Sequence, residues 1–283
     1  MADTAGVERD GAIATIILDR PERLNALDLD MATLLVELLQ ELVCDDSVSA
    51  IIITGSGRGF CAGGDLAWAA AYPGGSGNAL HVLAGQFHQA LLEIHRTGKP
   101  VIAAVNGVAA GAGFSLALAS DFRVLDEAAV LRQAYTSSGL SIDGGGTFML
   151  PRLAGLARAI EIAAFDQPIT ATQAASIGLA TRIAAAGQSR DGARALAREF
   201  QARSLASFAA SKHLLRRSLE TPLEVQLEHE REAIVACAGS AEGAQGISAF
   251  NSKRPPDFPA ARTRNSNLQR MRTGKARATG AGQ

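Results

Sequence analysis

Hydrophobic and polar positions along this chain alternate between two periods. From Ala12 to Leu18 a short apolar, β-rich run is broken by Asp19-Arg20-Pro21-Glu22-Arg23, which ends it with charge and a proline. Apolar residues then recur at 31, 34, 35, 38, 39, 42 and 43, the spacing of a helix with one inner face. Ala50 to Thr54 predicts a second strand. It runs into the glycine-dense segment Gly55 to Asp65, which is too long for a tight turn. Ala69 to Asn78, with Tyr72-Pro73-Gly74-Gly75, reads as a mobile loop. Leu80 to Arg96 reads as a helix with Leu80, Ala84, Phe87, Leu91 and Ile94 on one face and His88 beside it.

The stretch from Val101 to Asp121 organises the rest. Five apolar residues, a turn at Asn106-Gly107 and an apolar run opening in Gly111-Ala112-Gly113 read as strand, turn and helix N-terminus. A helix start leaves backbone N–H groups without intrahelical acceptors, and the small side chains at 109 to 113 let a carbonyl or phosphate come close to them. That is what an oxyanion hole requires. The same small residues would equally let a helix pack tightly on a sheet. The early turn and the scarcity of large side chains argue against a membrane helix.

Two further strands are predicted at Phe122 to Leu125 and Val130 to Ala134, leading to Gly139 to Thr147, a second small-residue approach to a helix. Asp143 lies there, in the place of a helix N-cap. From Gly155 the pattern is helical, at 156 to 164, 171 to 177, 190 to 218 with a break near Ser204, 223 to 237 and 241 to 250. Strand and helix alternating early, with helices late, predict an α/β core and a helical C-terminal module. Beyond Asp257 the tail carries six Lys or Arg and no acid, so disorder is expected there.

Composition narrows the function classes. With 27 Lys and Arg against 28 Asp and Glu in 283 residues, the net charge is -1. No overall field recruits nucleic acid or an anionic membrane. Cys44, Cys61 and Cys237 are odd in number and far apart, which fits a reducing cytoplasm and argues against disulfides or a zinc site. The first ten residues lack the apolar core of a signal peptide. The loop before Phe60 lacks a Gly-Lys-Ser/Thr ending, and it opens no helix with Gly-x-Gly-x-x-Gly, so both phosphate motifs are rejected.

Four ordered segments carry a family resemblance: Arg20 to Leu27, Gly59 to Leu66, Lys99 to Gly107 and Pro151 to Gly155. Over about 10 to 258 the chain resembles the crotonase superfamily, the enoyl-CoA hydratase/isomerase family. The resemblance implies an α/β fold, a crotonase-like spiral of ββα turns over 1–204, then a helical trimerisation module at 205–258, with 259–283 as the tail. It implies a homotrimer or homohexamer acting on an acyl-CoA thioester, with coenzyme A entering only as part of the substrate and neither metal nor other cofactor. The thioester oxygen would lie between the N–H groups of Gly64 and Ala112. Arg23 and Arg58 would flank the CoA channel, Ala62, Asp65 and Leu66 would border the cofactor, and Phe250 and Lys253, in Phe250 to Arg254, would reach a neighbouring subunit's CoA.

Hydratases of this family use two glutamates, and their positions here hold Ser115 and Tyr135. Neither side chain is a carboxylate base, so simple hydration loses its usual proton carriers. Asp143 falls at a third acid/base position and resembles the aspartate of the family's isomerases. Asp143, His88 and Tyr135 also resemble the nucleophile, assisting histidine and orienting aromatic residue of 4-chlorobenzoyl-CoA dehalogenase, although that enzyme's aromatic residue is a tryptophan. As a plain packing residue, His88 would simply edge its apolar face. The leading expectation is an isomerase with Asp143 as acid/base. Hydrolytic displacement by Asp143 and a non-catalytic acyl-CoA-binding scaffold are the alternatives.

Overall fold

The computed structural model describes residues 4–263. The chain divides into two compact units, one ending at Ala197 and the other beginning at Arg198. The first opens with a hairpin of β1 (Ala5–Asp10) and β2 (Ile13–Leu18), followed by α1 (Leu29–Cys44). Asp28 caps α1 by accepting from the Met31 N–H, and Met31, Leu35, Leu39 and Leu42 are buried on its inner face. Then come β3 (Ala50–Gly55), β4 (Gly59–Cys61), α2 (Leu66–Ala71), α3 (Gly75–Arg96), β5 (Val101–Val105), β6 (Val108–Ala110) and α4 (Ala112–Ala119). The unit continues through β7 (Phe122–Asp126), β8 (Val130–Arg132), α5 (Gly146–Ala154), α6 (Leu156–Phe165), β9 (Ile169–Thr170), α7 (Ala171–Ser176) and β10 (Arg182–Ala184) to α8 (Ser189–Gln201), which runs across the division.

Two sheets result. One has the order β1-β2-β3-β5-β7-β10, the other β4-β6-β8-β9. From β2 to β10 every pairing in the larger sheet is parallel, and so are β4 with β6 and β6 with β8. The chain therefore visits both sheets at each turn, β3 then β4, β5 then β6, β7 then β8, with helix after each pair. This is the expected spiral of ββα turns. Strands covered on both faces must be apolar throughout, and β3 and β5 are buried at every residue. α4 is buried from Gly113 to Ala119, which explains its uniformly apolar sequence: it is a core helix and not a membrane span. No described helix is long and apolar enough to cross a membrane.

Several local expectations are revised. The segment from Ala69 to Asn78 is mostly helix, split by Tyr72-Pro73-Gly74, because Gly74 at φ +91 turns the chain directly into α3. Starting earlier, α3 buries Ala79 and Leu83 and leaves Leu80 and Ala84 on the wall of a cavity. β6, β9 and β10 are two or three residues long, too short to show a period.

In the second unit, α9 (Leu205–Arg217), α10 (Leu223–Gly239) and α11 (Ala241–Asn251) follow α8. Glu242 accepts from Ser204 Oγ at 2.7 Å and the Ala206 N–H at 3.0 Å, and pairs with Arg262 at 2.5 Å. The basic tail begins helically at 258–263, with Ala261 buried. The rest of the stretch expected to be disordered, from 264 on, lies outside the described residues.

Candidate active site

Because β4 and β6 are parallel neighbours, the turns that leave them lie side by side. Gly63 adopts φ +102 and Gly111 φ +53. A Cβ on Gly63 would lie 3.0 Å from the Ala110 carbonyl oxygen and 3.3 Å from the Ala112 nitrogen, so only glycine lets the two backbones approach this closely. The Leu27 N–H donates to Gly63 O at 2.7 Å and the Asp65 N–H to Leu27 O at 2.8 Å. These two bonds straddle Gly64 and leave its own N–H out. Neither that N–H nor that of Ala112, the first residue of α4, meets an acceptor among the described residues. Both residues line a cavity of about 160 Å³ with apolar walls from Leu80, Leu83, Phe87 and Leu140.

Asp143 is the one acidic residue that lines this cavity. It is not the cap of α5. Gly145, at φ +69, holds the N-cap position and the helix starts at Gly146. The Asp143 carboxyl instead sits 2.7 Å from His88 Nε2, with both side chains nearly half exposed. Gly144 makes this pairing possible, since a Cβ there would lie 2.6 Å from Phe87 Cε1 on α3. The Asp143 backbone carbonyl accepts from Ser115 Oγ at 2.6 Å, Tyr135 OH at 3.3 Å and the Gly146 N–H at 3.1 Å.

Tyr135 is set by the turn after β8, where Gln133 Oε1 accepts from its N–H at 3.0 Å. Burial pushes its phenol well above the ordinary range, so it stays protonated. Ser115 is 0% exposed and does not line the cavity. Burial likewise pushes the Cys61 thiol up to about 12, which leaves no thiolate nucleophile behind the Gly63 turn at neutral pH.

The remaining predicted residues are more scattered. Ala62 and Leu66 border the cavity. Asp65 is buried, and its carboxylate caps α2 at the Trp68 N–H and pairs with Arg20 at 3.0 Å. Burial pushes the Asp65 carboxyl up, but the Trp68 N–H and Arg20 outweigh this and hold it below its usual range. Arg23 and Arg58 are exposed on the same unit. Phe250, 83% exposed, and Lys253 belong to the second unit.

Two residues that support the site appear above only as parts of a motif. Arg20 joins Asp65 to Asp28, at 2.9 Å, and donates to Ala26 O. Asn25 donates to the carbonyls of Ser56, Gly59 and Phe60, tying the Arg20–Leu27 turn to the glycine loop. Their signal was the unusual turn sequence. Leu24 and Asn25 both take positive φ, which non-glycine residues rarely do.

Two unsatisfied N–H groups beside one carboxylate can hold negative charge on a carbonyl oxygen while a proton moves nearby. The sequence profile of the enoyl-CoA hydratase/isomerase family matches residues 8–261. The 1,2-epoxyphenylacetyl-CoA isomerase of Escherichia coli K12 is 36% identical over 87% of this chain and 94% of its own length. The 4-chlorobenzoyl coenzyme A dehalogenase-2 of an Arthrobacter species is 30% identical over 87% and 90%. Among solved structures, an enoyl-CoA hydratase from Polaromonas sp. JS666 superposes with a TM-score of 0.83 at 34% identity, covering 89% of this chain and 98% of that one.

Proposed function

Because the chain belongs to the enoyl-CoA hydratase/isomerase family, whose members act on acyl-CoA thioesters, we propose that it is an acyl-CoA isomerase that shifts a double bond through a thioester enolate. The observation that carries this reading is the single carboxylate, Asp143, lining the cavity that Gly64 and Ala112 also line. The thioester oxygen takes the two free N–H groups, which acidifies the neighbouring C–H. Asp143 removes that proton and returns it elsewhere on the acyl chain. His88 Nε2 stands 2.7 Å from one carboxylate oxygen; as the Nε2–H tautomer it donates there and leaves the other oxygen to carry the proton. Proton transfer of this kind is redox-neutral, so coenzyme A, as part of the substrate, is the only cofactor-like group required. The Ala62 to Leu66 backbone and the Arg23 and Arg58 guanidiniums are the groups suited to hold it. Conversion of a 3-enoyl-CoA to the conjugated 2-enoyl-CoA, followed by thioester absorbance, tests the proposal directly.

Hydration of crotonyl-CoA is expected to be weak or absent, since Ser115 and Tyr135 stand where both glutamates would be and one carboxylate must make every transfer. A turnover number of about 10² to 10³ per second would contradict this.

One observation favours a second reading. The 2.7 Å contact between His88 and Asp143 would also suit a nucleophilic carboxylate assisted by a histidine, as in a displacement on an aryl-CoA. A single turnover in ¹⁸O-water separates the two. An ester on Asp143 would give a first product whose new oxygen is unlabelled, because it came from the carboxylate. The isomerase reading expects no hydroxylated product.

We also propose a cytoplasmic homotrimer or homohexamer, with α9 to α11 forming the contacts and the Phe250 to Arg254 run reaching a neighbour's CoA. Leu219 on the segment after α9, Ile234 on α10 and Phe250 on α11 are 74%, 69% and 83% exposed. This apolar surface on one small unit supports the reading, since large exposed apolar patches accompany interfaces. Light scattering at micromolar concentration should give three or six chain masses. A monomer would count against it.

A further inference from the structure

The two positions that lack glutamates hold hydroxyls, and both point at one atom. Ser115 Oγ lies 2.6 Å from the Asp143 carbonyl oxygen, Tyr135 OH lies 3.3 Å from the same oxygen, and the two hydroxyls are 3.2 Å apart. With the Gly146 N–H at 3.1 Å, this carbonyl has three donors for two lone pairs. We infer that Ser115 and Tyr135 form a hydroxyl clamp on the Asp143 backbone that fixes where its carboxylate stands, which makes them positioning residues for the proton transfer. The inference rests on the isomerase reading and adds to it a role for the residues that replaced the hydratase acids.

Three features support the clamp. Ser115 sits on the buried helix α4, whose first residue supplies the Ala112 N–H. One rigid element therefore carries both the charge-stabilising donor and the anchor of the base. Asp143 lies in a segment with neither strand nor helix, between Gly139 and Gly146, and the glycines on its C-terminal side, Gly144 and Gly145, both have positive φ. The local backbone has little intrinsic preference to hold it. Finally, among the described residues the Asp143 carboxyl has one side-chain partner, His88, and both are well exposed, so that contact alone is a weak restraint.

Ser115→Ala and Tyr135→Phe, measured on the full-length protein with a 3-enoyl-CoA, test the idea. A misplacement of about 1 Å costs on the order of 10²-fold in rate, so kcat should fall by ~10² in Ser115→Ala. The longer Tyr135 bond should be worth about 10-fold. KM should stay within about twofold in both, because a displaced base removes a transition-state interaction. The double variant should lose less than the product of the two, since both hydroxyls hold the same carbonyl. A crystal structure of either variant should show the Asp143 carboxyl moved away from His88. Tyr135→Phe keeps the packed ring and gives the answer if Ser115→Ala does not fold. Unchanged kcat in the variants, or a lost rate with Asp143 still 2.7 Å from His88, would overturn the clamp. A wild-type protein that shifts no double bond would sink the isomerase reading alone, and the His88–Asp143 distance in the variants would still decide the clamp.

Discussion

Asp143→Asn is expected to reduce double-bond migration by about 10² to 10⁴-fold, the range that a lost general base typically costs, while acyl-CoA binding persists. The amide keeps the shape of the carboxyl and can still hydrogen-bond to His88, so the cavity walls and the Gly64 and Ala112 donors should be undisturbed. What disappears is the only basic oxygen of an acidic side chain lining that cavity. Thiol and hydroxyl groups nearby cannot substitute, because burial raises both the Cys61 thiol and the Tyr135 phenol. Steady-state kinetics beside calorimetric binding of a non-reactive acyl-CoA would check both halves. Activity within tenfold of wild type would mean that Asp143 is not the base.

Gly63→Ala should be nearly as damaging without touching an ionisable group. Gly63 is held at φ +102, and its new methyl would lie 3.0 Å from the Ala110 carbonyl oxygen. Backbone strain of this kind costs on the order of 1–3 kcal/mol. The chain can relieve it by turning the peptide that carries the Gly64 N–H or by pushing the Gly111 turn away. Either movement parts the two donors, and losing one costs about 10² to 10³ in kcat. Thermal unfolding should show a lowered but cooperative transition, so the assay can be run well below it. A folded Gly63→Ala protein with wild-type kcat would remove the oxyanion hole from the account.

How much of this was legible in the sequence depends on the scale of the feature. Long elements were clear, because α1 repeats its apolar residues at helical spacing and β3 and β5 are built on unbroken apolar runs bounded by turn signals. The two- and three-residue strands β6, β9 and β10 exist because a neighbouring strand pairs with them, and no local pattern encodes that. The glycines at 74 and 75 misled the reading of Ala69 to Asn78: a left-handed glycine that starts α3 looks, in sequence, like one that ends order. At the site, Asp143 could be read either as a helix cap or as an acid. Only the position of Gly145 as the cap of α5 decides against the first. His88 was similarly open, since a histidine at the edge of an apolar face packs in one fold and pairs in another. The clamp on the Asp143 carbonyl was invisible, because it joins residues 28 and 8 positions apart through a backbone atom.

In the isomerase reading this site makes an enolate and Asp143 carries its proton. Incubating wild-type protein and Asp143→Asn with a 3-enoyl-CoA in deuterium oxide, and following double-bond migration together with deuterium at the carbon next to the thioester and at the carbon that receives the proton, is the decisive test. The wild type should move the double bond with deuterium entering at these carbons as the Asp143 proton exchanges with solvent, and the variant should show neither above background at equal occupancy of the site. Migration or exchange retained in Asp143→Asn, or neither in a wild-type protein that binds the thioester, would overturn it.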